Sequence, residues 1–163
     1  MITIQPFSRE YNNEAGRFVL SVEHEFGIDI TLEDQPDLAD IERNYIAPGG
    51  NFWLALEDEK IVGTIAILNA GGGIGVIRKM FVAPEFRGAP HKLGQRLLDT
   101  LMPWARANGY TQLYLGTIDI LQAALRFYEK NGFKRFAEDD LPCEVFDIRM
   151  PDDNVYYALE LAA

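Results

Sequence analysis

Residues 82–98 read Val-Ala-Pro-Glu-Phe-Arg-Gly-Ala-Pro-His-Lys-Leu-Gly-Gln-Arg-Leu-Leu and follow an apolar segment that begins at residue 74. The apolar segment predicts a strand, Pro84 and Gly88 predict a turn, and the leucines after residue 92 have helical spacing. The first amides of a helix lack internal partners and carry the positive end of its dipole, so they can receive a phosphate. The stretch therefore predicts a strand–turn–helix unit, which is either an anion site or an ordinary turn.

The turn is basic although the whole chain is acidic. The chain has 15 Lys and Arg residues against 25 Asp and Glu residues, a net charge of −10. Between residues 78 and 96 the balance of charge reverses. The only acidic residue there is Glu85, and the five basic residues are Arg78, Lys79, Arg87, Lys92 and Arg96. A local cationic patch can hold an anion because charges act over ~8–10 Å. The overall acidity disfavours a nucleic-acid partner.

The rest of the chain predicts one α/β domain covering residues 1–163. Strands are predicted at residues 2–4, 52–56, 61–68, 74–82, 112–115, 133–136 and 155–161. Helices are predicted after a cap at Ser8, from Asp34 or Gln35 before Pro36, and from a capping box formed by Asp119 and Gln122. The glycines at residues 71–73 predict a hairpin turn, because no Lys-Ser/Thr pair follows them as in a nucleotide loop.

Composition also excludes some classes of protein. Cys143 is the only cysteine, which excludes an internal disulfide and fits a reducing compartment. One cysteine and two histidines, His24 and His91, disfavour a protein-only zinc site, so no metal is expected. No apolar run approaches the ~20 residues that span a bilayer, and Met1 opens a polar segment. We therefore expect a cytoplasmic protein without a membrane partner.

Two sequence patterns, in this order, resemble the GNAT superfamily of N-acetyltransferases. The superfamily signature is V-x-P-x-x-R-G-x-G-x-G-x-x-L-L after a strand, followed later by A-x-x-x-Y-x-x-x-G-F. Residues 82–88 with Leu97 and Leu98 match the first pattern, and residues 124–133 match the second. The resemblance covers essentially the whole chain and implies a mixed, twisted central sheet of about six to seven strands flanked by about four helices.

The chain departs from the family pattern at three places. Two extra residues follow Gly88, and Lys92 stands where the pattern has glycine. Leu121 occupies a place where many family members carry an asparagine that touches the cofactor. We interpret the first two differences as a lengthened loop rather than a broken one.

The resemblance implies that acetyl-CoA is the cosubstrate and that an amine attacks its thioester directly, through a tetrahedral intermediate. The implied cofactor-binding residues are Met80, Phe81, Val82, Arg87, Gly88, His91, Lys92, Leu93, Gly94, Gln95 and Tyr128. Tyr128 has the family's position for the general acid that protonates the leaving thiolate. Backbone N–H groups near residues 80–82 are implied as donors to the oxyanion.

The sequence identifies the general base less clearly. Glu25 is the first candidate, with Asp29 and His24 behind it, because family substrates lie against the first two helices. Eight carboxylates and no Lys or Arg occur in residues 18–42, namely Glu23, Glu25, Asp29, Glu33, Asp34, Asp37, Asp40 and Glu42. This segment is either an attractive surface for a protonated amine, with Glu25 and Asp29 binding the acceptor, or a solvated face. Deprotonation through water remains an alternative, and Cys143 is the least favoured nucleophile.

These observations favour an N-acetyltransferase that acts on a small cationic or zwitterionic amine. A non-catalytic acetyl-CoA-binding module is an alternative, although such a module does not need the tyrosine. A protein or peptide acetyltransferase is a third hypothesis that composition does not separate from the first. A homodimer is also left open by the family resemblance.

Overall fold

Seven strands form one mixed sheet in the computed structural model, which describes residues 1–161. The last two residues of the predicted 1–163 domain lie outside the described residues. The strands are β1 (Ile2–Pro6), β2 (Asn51–Glu57), β3 (Lys60–Gly71), β4 (Ile74–Val82), β5 (Gln112–Thr117), β6 (Lys134–Phe136) and β7 (Val155–Glu160). Their order is β1-β2-β3-β4-β5-β7-β6, and β4 and β5 run parallel whereas the other neighbours are antiparallel. The predicted sheet is confirmed.

Four α-helices flank the sheet in the described part of the chain. They are α1 (Asn12–Glu25), α2 (Leu93–Ala107), α3 (Gln122–Lys130) and α4 (Cys143–Phe146). Helix α2 follows the turn after β4, as predicted, and α3 ends before Gly132, whose φ of +89° suits a glycine. The glycines at residues 71–73 all have positive φ and form the hairpin turn between β3 and β4.

Three predicted helix starts are wrong in detail. Ser8 precedes a short 3₁₀ turn and donates its hydroxyl to Glu10, so α1 begins four residues later. The segment at Pro36 forms a three-residue 3₁₀ turn rather than a helix, because side chains on both sides of Pro36 are drawn into buried contacts. Helix α3 begins at Gln122 itself without a side-chain cap, so Asp119 and Gln122 do not form a capping box.

The two faces of the sheet carry separate cores. Strand β2 shows the division, because Trp53 and Ala55 pack with α2 and α3, whereas Phe52 and Leu54 pack with α1. Alternate residues of a strand point to opposite faces, so a strand that is buried on both faces is apolar throughout. Helix α4 covers a third, smaller cluster over β4, β5 and β7. This arrangement leaves the edges of β4 and β5 exposed to a cavity where the two strands diverge.

Candidate active site

Strands β4 and β5 separate at the carboxyl end of β5. Their pairing runs from Ile74 opposite Gln112 to Ile77 opposite Leu115. Strand β4 then continues to Val82, whereas the last residues of β5 pair with β7. A cavity of about 1040 Å³ opens at this gap and is lined by residues of both strands. Ligand cavities commonly measure ~300–1,000 Å³, so this one can accommodate an extended ligand.

A bulge interrupts β4 beside the gap. The register with β3 shifts between Thr64 and Ala66, and Lys79 has a φ of +52°. The Thr64 hydroxyl donates to the Lys79 carbonyl at 2.7 Å and holds this conformation. In a bulge, one extra residue of the strand stays outside the regular ladder of hydrogen bonds. A lysine backbone in the left-handed region carries conformational strain of ~1–3 kcal/mol. Such strain is concentrated at functional sites, and here it lies at the wall of the cavity.

The turn after β4 places the start of α2 on the same cavity. Lys92 precedes the helix with a φ of +48°, in the left-handed region that favours glycine, which explains why the family pattern has glycine there. Gly94 faces β4, where an added Cβ would lie 3.6 Å from Met80 and 3.9 Å from Val82. The positive end of α2 and the ammonium of Lys92 are suited to a phosphate group.

Most of the predicted cofactor-binding residues line this one cavity. Those that do are Met80, Phe81, Val82, Arg87, Gly88, Lys92, Gly94, Gln95 and Tyr128. The other two lie elsewhere, because the Leu93 side chain is fully buried in the core and His91 is exposed and packs edge-on against Phe86. The cavity lining therefore brings together residues from both sequence patterns.

Tyr128 is held in the cavity wall by aromatic neighbours. Its ring centroid lies 5.8 Å from those of Phe133 and Tyr157, and its hydroxyl lies 3.8 Å from the Met80 sulfur. Burial raises the pKa of Tyr128 well above its usual value, and the charge of Asp153 raises it further. The phenol is therefore protonated at neutral pH and available as a proton donor beside β4.

A buried polar cluster lies below the bulge, and sequence reasoning missed it. The Lys79 ammonium donates to Gln35 Oε1 at 2.5 Å and lies 3.6 Å from Asp37 Oδ2. The Gln35 amide donates to Glu23 Oε1 at 2.9 Å, and the Tyr45 hydroxyl donates to Asp37 Oδ2 at 2.5 Å. Burial lowers the pKa of Lys79 and raises that of Glu23. Two carboxylates of the acidic segment thus serve the fold.

The structure places the predicted acceptor residues outside the cavity lining. Glu25 forms a two-pronged ion pair with Arg87, with Nη1 and Nη2 at 2.5 and 2.9 Å from its oxygens. This hydrogen bonding from Arg87 lowers the pKa of Glu25, which makes the carboxylate a weaker base. Asp29 is exposed, and His24 bonds to the Ile30 carbonyl. The structure therefore gives no support to Glu25 as base or to Asp29 as an acceptor ligand.

Several charged residues that the sequence did not single out for the site line the cavity instead, among them Arg78 and Asp153. Arg78 on β4 donates to the Ile148 carbonyl, and none of the ion pairs within residues 1–161 includes it. Asp153 lies over Gly116 at the end of β5. Burial raises the pKa of Asp153 to about 6, although Arg78 and Lys79 oppose the shift. Only the basic run around residue 78 hinted at either residue in the sequence.

Other features of the described residues bear on partners. Cys143 is exposed and does not line the cavity. Residues 1–161 contain no group of three or more His, Cys, Asp or Glu side chains that could hold a metal ion. No helix in the same residues has the length and apolar character required to cross a membrane.

A family model described as the acetyltransferase (GNAT) family matches residues 18–133. The match covers well over half of the chain, so the chain belongs to the GNAT family of acetyltransferases, and the predicted resemblance is confirmed. The matched residues run from α1 to the end of the second sequence pattern, and they include the strand gap, the basic turn and Tyr128.

Individual relatives agree with this assignment. An N-acetyltransferase of Schizosaccharomyces pombe is 34% identical over 113 residues, which are 68% of each chain. The N-acetylaspartate synthetase of Danio rerio is 35% identical over 108 residues, 64% of this chain but 37% of that protein. A crystal structure of a GNAT-family acetyltransferase from Staphylococcus aureus has a TM-score of 0.94 at 37% identity and covers 99% of this chain and 100% of that chain.

Proposed function

We propose that this enzyme transfers the acetyl group of acetyl-CoA to the primary amine of a small acceptor that also carries a carboxylate. One observation carries the proposal: a single cavity joins the basic start of α2, the gap between β4 and β5, Tyr128 and Arg78. The start of α2 suits a phosphate, and the strand gap suits an extended chain. Tyr128 suits a leaving sulfur, and Arg78 suits a carboxylate.

The donor lies with its pyrophosphate against residues 87–95 and its pantetheine beside residues 80–82. The start of α2 offers amides without intrahelical partners, and Lys92 adds a positive charge beside them. Beyond its pairing with β5, the edge of β4 presents backbone N–H and C=O groups. The amide-containing pantetheine chain can form hydrogen bonds with these groups as an added strand would. The thioester then reaches the bulge at Lys79, near Tyr128.

Acetyl transfer at this position requires a donor to the oxyanion and a proton for the leaving sulfur. The bulge takes backbone groups at Lys79 and Met80 out of the regular ladder, so their N–H groups are candidates for the first task. The Tyr128 hydroxyl, beside the Met80 sulfur, is the candidate for the second. An alkyl ammonium has a pKa near ~10.4, so the acceptor must lose a proton before it attacks.

The charges at the acceptor end favour a zwitterion over a polycation. Arg78 lines the cavity, and a guanidinium group binds a carboxylate through two parallel hydrogen bonds. Asp153 faces the same space and can hold an ammonium group. A related protein is named for making N-acetylaspartate, whose precursor amine carries carboxylates. Amino acids are therefore the acceptor class that we propose.

An acceptor panel with wild-type enzyme and the Arg78→Met variant tests this function. We expect thiol release from acetyl-CoA with amino acids such as aspartate and glutamate, and weaker release with polyamines, aminoglycosides and a lysine peptide. Loss of a charged hydrogen bond costs ~1.5–3 kcal/mol, so Arg78→Met should raise the KM for amino acids about 10- to 100-fold. Arg106→Met, on the exposed last turn of α2, is the control and should leave KM unchanged.

The panel separates the proposal from its alternatives. A polyamine or a peptide as the preferred acceptor contradicts the proposed substrate class. Binding of acetyl-CoA without thiol release for any amine supports a non-catalytic module instead. An Arg78→Met variant with normal KM shows that the carboxylate binds elsewhere.

Charge reversal at Lys92 tests the position of the donor. Lys92→Glu should raise the Kd of acetyl-CoA by about 10-fold or more, because it replaces an attraction to phosphate by a repulsion. The affinity should also depend less on salt concentration. Arg87 is a poorer choice, since a glutamate there would face Glu25. Calorimetry on Lys92→Glu and on the exposed control Lys60→Glu provides the comparison, and equal affinities would remove the assignment.

A further inference from the structure

Asp153 lines the cavity, and the proposed acetyl transfer gives its carboxylate no chemical step. It lies two residues before β7, and its carboxylate sits directly over Gly116. Gly116 is the first residue of β5 beyond the pairing with β4. A Cβ at this position would collide with Asp153 Oδ2, so the glycine makes room for the carboxylate at the mouth of the gap.

The Asp153 carboxylate interacts electrostatically with charged and titratable groups of β4, α3, β7 and its own segment. They are Arg78 and Lys79 from β4, Tyr128 from α3, and Asp152 and Tyr156 from its own segment and β7. The backbone of Asp153 is fixed, because its N–H donates to the Met150 carbonyl at 3.2 Å and its carbonyl accepts from the Tyr156 hydroxyl at 3.1 Å. A carboxylate has about four acceptor positions, so Asp153 can accept a hydrogen bond from a ligand in the cavity.

We propose that Asp153 is the catalytic base that takes the proton from the acceptor amine, a role that rests on the proposed function. Three observations support it: the carboxylate lies at the strand gap, lines the same cavity as Arg78 and Tyr128, and interacts electrostatically with both. An amino acid with its carboxylate on Arg78 has its amine free to reach Asp153. Burial raises the pKa of Asp153 to about 6, so at neutral pH it is mostly ionised and is a stronger base than an ordinary aspartate.

The acceptor ammonium first releases one proton to solvent, and the two side chains carry the later transfers. The amine nitrogen then forms a bond to the thioester carbon, the carbonyl electron pair moves to its oxygen, and one N–H proton passes to Asp153. The carbon–sulfur bond then breaks, its electron pair remains on sulfur, and Tyr128 gives its proton to that sulfur. Asp153 returns its proton to the Tyr128 oxygen through solvent, so both groups end in their starting states.

The two side chains also assist each other electrostatically. The negative charge of Asp153 contributes to the high pKa of Tyr128. Protonation of Asp153 removes this contribution, so the phenol becomes a better acid when the leaving sulfur needs a proton. Glu25 is bound to Arg87 outside the cavity lining, whereas Glu23 lines the cavity but already accepts a hydrogen bond from Gln35, so neither carboxylate has a comparable arrangement.

Replacement of Asp153 by asparagine keeps the shape and removes the base. We expect kcat/KM for the acceptor to fall about 10²- to 10³-fold, with the acetyl-CoA Kd nearly unchanged. In both enzymes kcat/KM should fall as the pH drops because the acceptor amine is protonated, and in the wild type it should fall more steeply below about pH 6, because protonated Asp153 accepts no proton. This additional acid limb should be absent from the residual activity of Asp153→Asn. Asp147→Asn, an exposed change outside the cavity lining, is the control.

The smaller variant Asp153→Ala gives an independent measurement if asparagine perturbs the fold. Formate added to Asp153→Ala should restore part of the activity, because it supplies a carboxylate in the vacated space, and it should not stimulate Asp147→Asn. Wild-type kcat/KM and an unchanged acid limb in Asp153→Asn, or no rescue of the alanine variant, overturn the assignment while the acetyltransferase function stands. A wild-type enzyme that acetylates no amine overturns both proposals.

Discussion

Replacement of Tyr128 by phenylalanine should lower kcat by about 10²-fold or more, because the leaving sulfur would depart without its proton. The acetyl-CoA Kd should stay close to that of the wild type, since the ring remains packed between Phe133 and Tyr157. Within residues 1–161 the hydroxyl that the variant loses has one hydrogen-bond partner, the Met80 sulfur at 3.8 Å, so folding should be little affected. Steady-state kinetics and calorimetry separate the two quantities.

Tyr110→Phe is a matched control for this prediction. Tyr110 is buried to nearly the same extent as Tyr128, at 6% against 7% exposed, but its hydroxyl donates to the Gly49 carbonyl outside the cavity. We expect Tyr110→Phe to lose some stability, ~1 kcal/mol for one hydrogen bond, and to keep its kcat. A Tyr128→Phe enzyme with wild-type kcat would show that another group protonates the sulfur.

Replacement of Lys79 by methionine should lower the free energy of unfolding by about 3 kcal/mol at neutral pH, since it removes the cation from a buried cluster. Asp37 and Glu23 would keep their negative charges without the ammonium that offsets them. The left-handed backbone adds no difference, because lysine and methionine are both unbranched at Cβ. Denaturant unfolding measures the loss.

The same variant should show a dependence on pH with a defined sign. Burial raises the folded-state pKa of Glu23, so its stabilising contribution is complete below its unfolded pKa and is lost as the pH rises through the folded value. Lys79 lowers the pKa of Glu23, and its removal raises that pKa further. The deficit of Lys79→Met should therefore be larger at pH 8 than at pH 5. Lys60→Met, on an exposed hairpin, should stay within ~0.5 kcal/mol of the wild type at both values.

The acidic segment shows how charge counts in a sequence can mislead. Residues 18–42 carry eight carboxylates, which suggested an attractive surface for a cation. In the structure Glu23 and Asp37 belong to the buried cluster, Glu25 is paired with Arg87, and Glu42 is paired with Arg9. Partners that are distant in the sequence compensate much of this negative charge. The number of carboxylates in the segment therefore overstates the electrostatic field that an acceptor experiences.

Local sequence order was sufficient to predict the elements to which we assign the donor. Residues only a few positions apart are enough to indicate the apolar run of β4, the turn at Pro84 and the leucine spacing of α2. Both family sequence patterns lie within the residues that the family model matches. Tyr128 could be placed for the same reason, since it lies on the same buried face of α3 as Leu125 and three residues before the C-cap residue Asn131. The individual strands also followed from local periodicity, whereas their assembly into one mixed sheet was implied by the family resemblance.

Tertiary structure alone decided which charges meet at the acceptor end. Arg78 and Asp153 are 75 positions apart in the sequence, and Lys79 and Gln35 are 44 apart. No local pattern encodes these pairs, because they depend on how β4 separates from β5 and on the path of the loop before β7. Burial then changes the chemistry of the groups, since the pKa of Asp153 rises to about 6 only where the protein excludes water. Short-range spacing therefore predicts the scaffold and the position of Tyr128, whereas Asp153 and Arg78, to which we assign the base and the acceptor's carboxylate, come together only when the sheet is assembled.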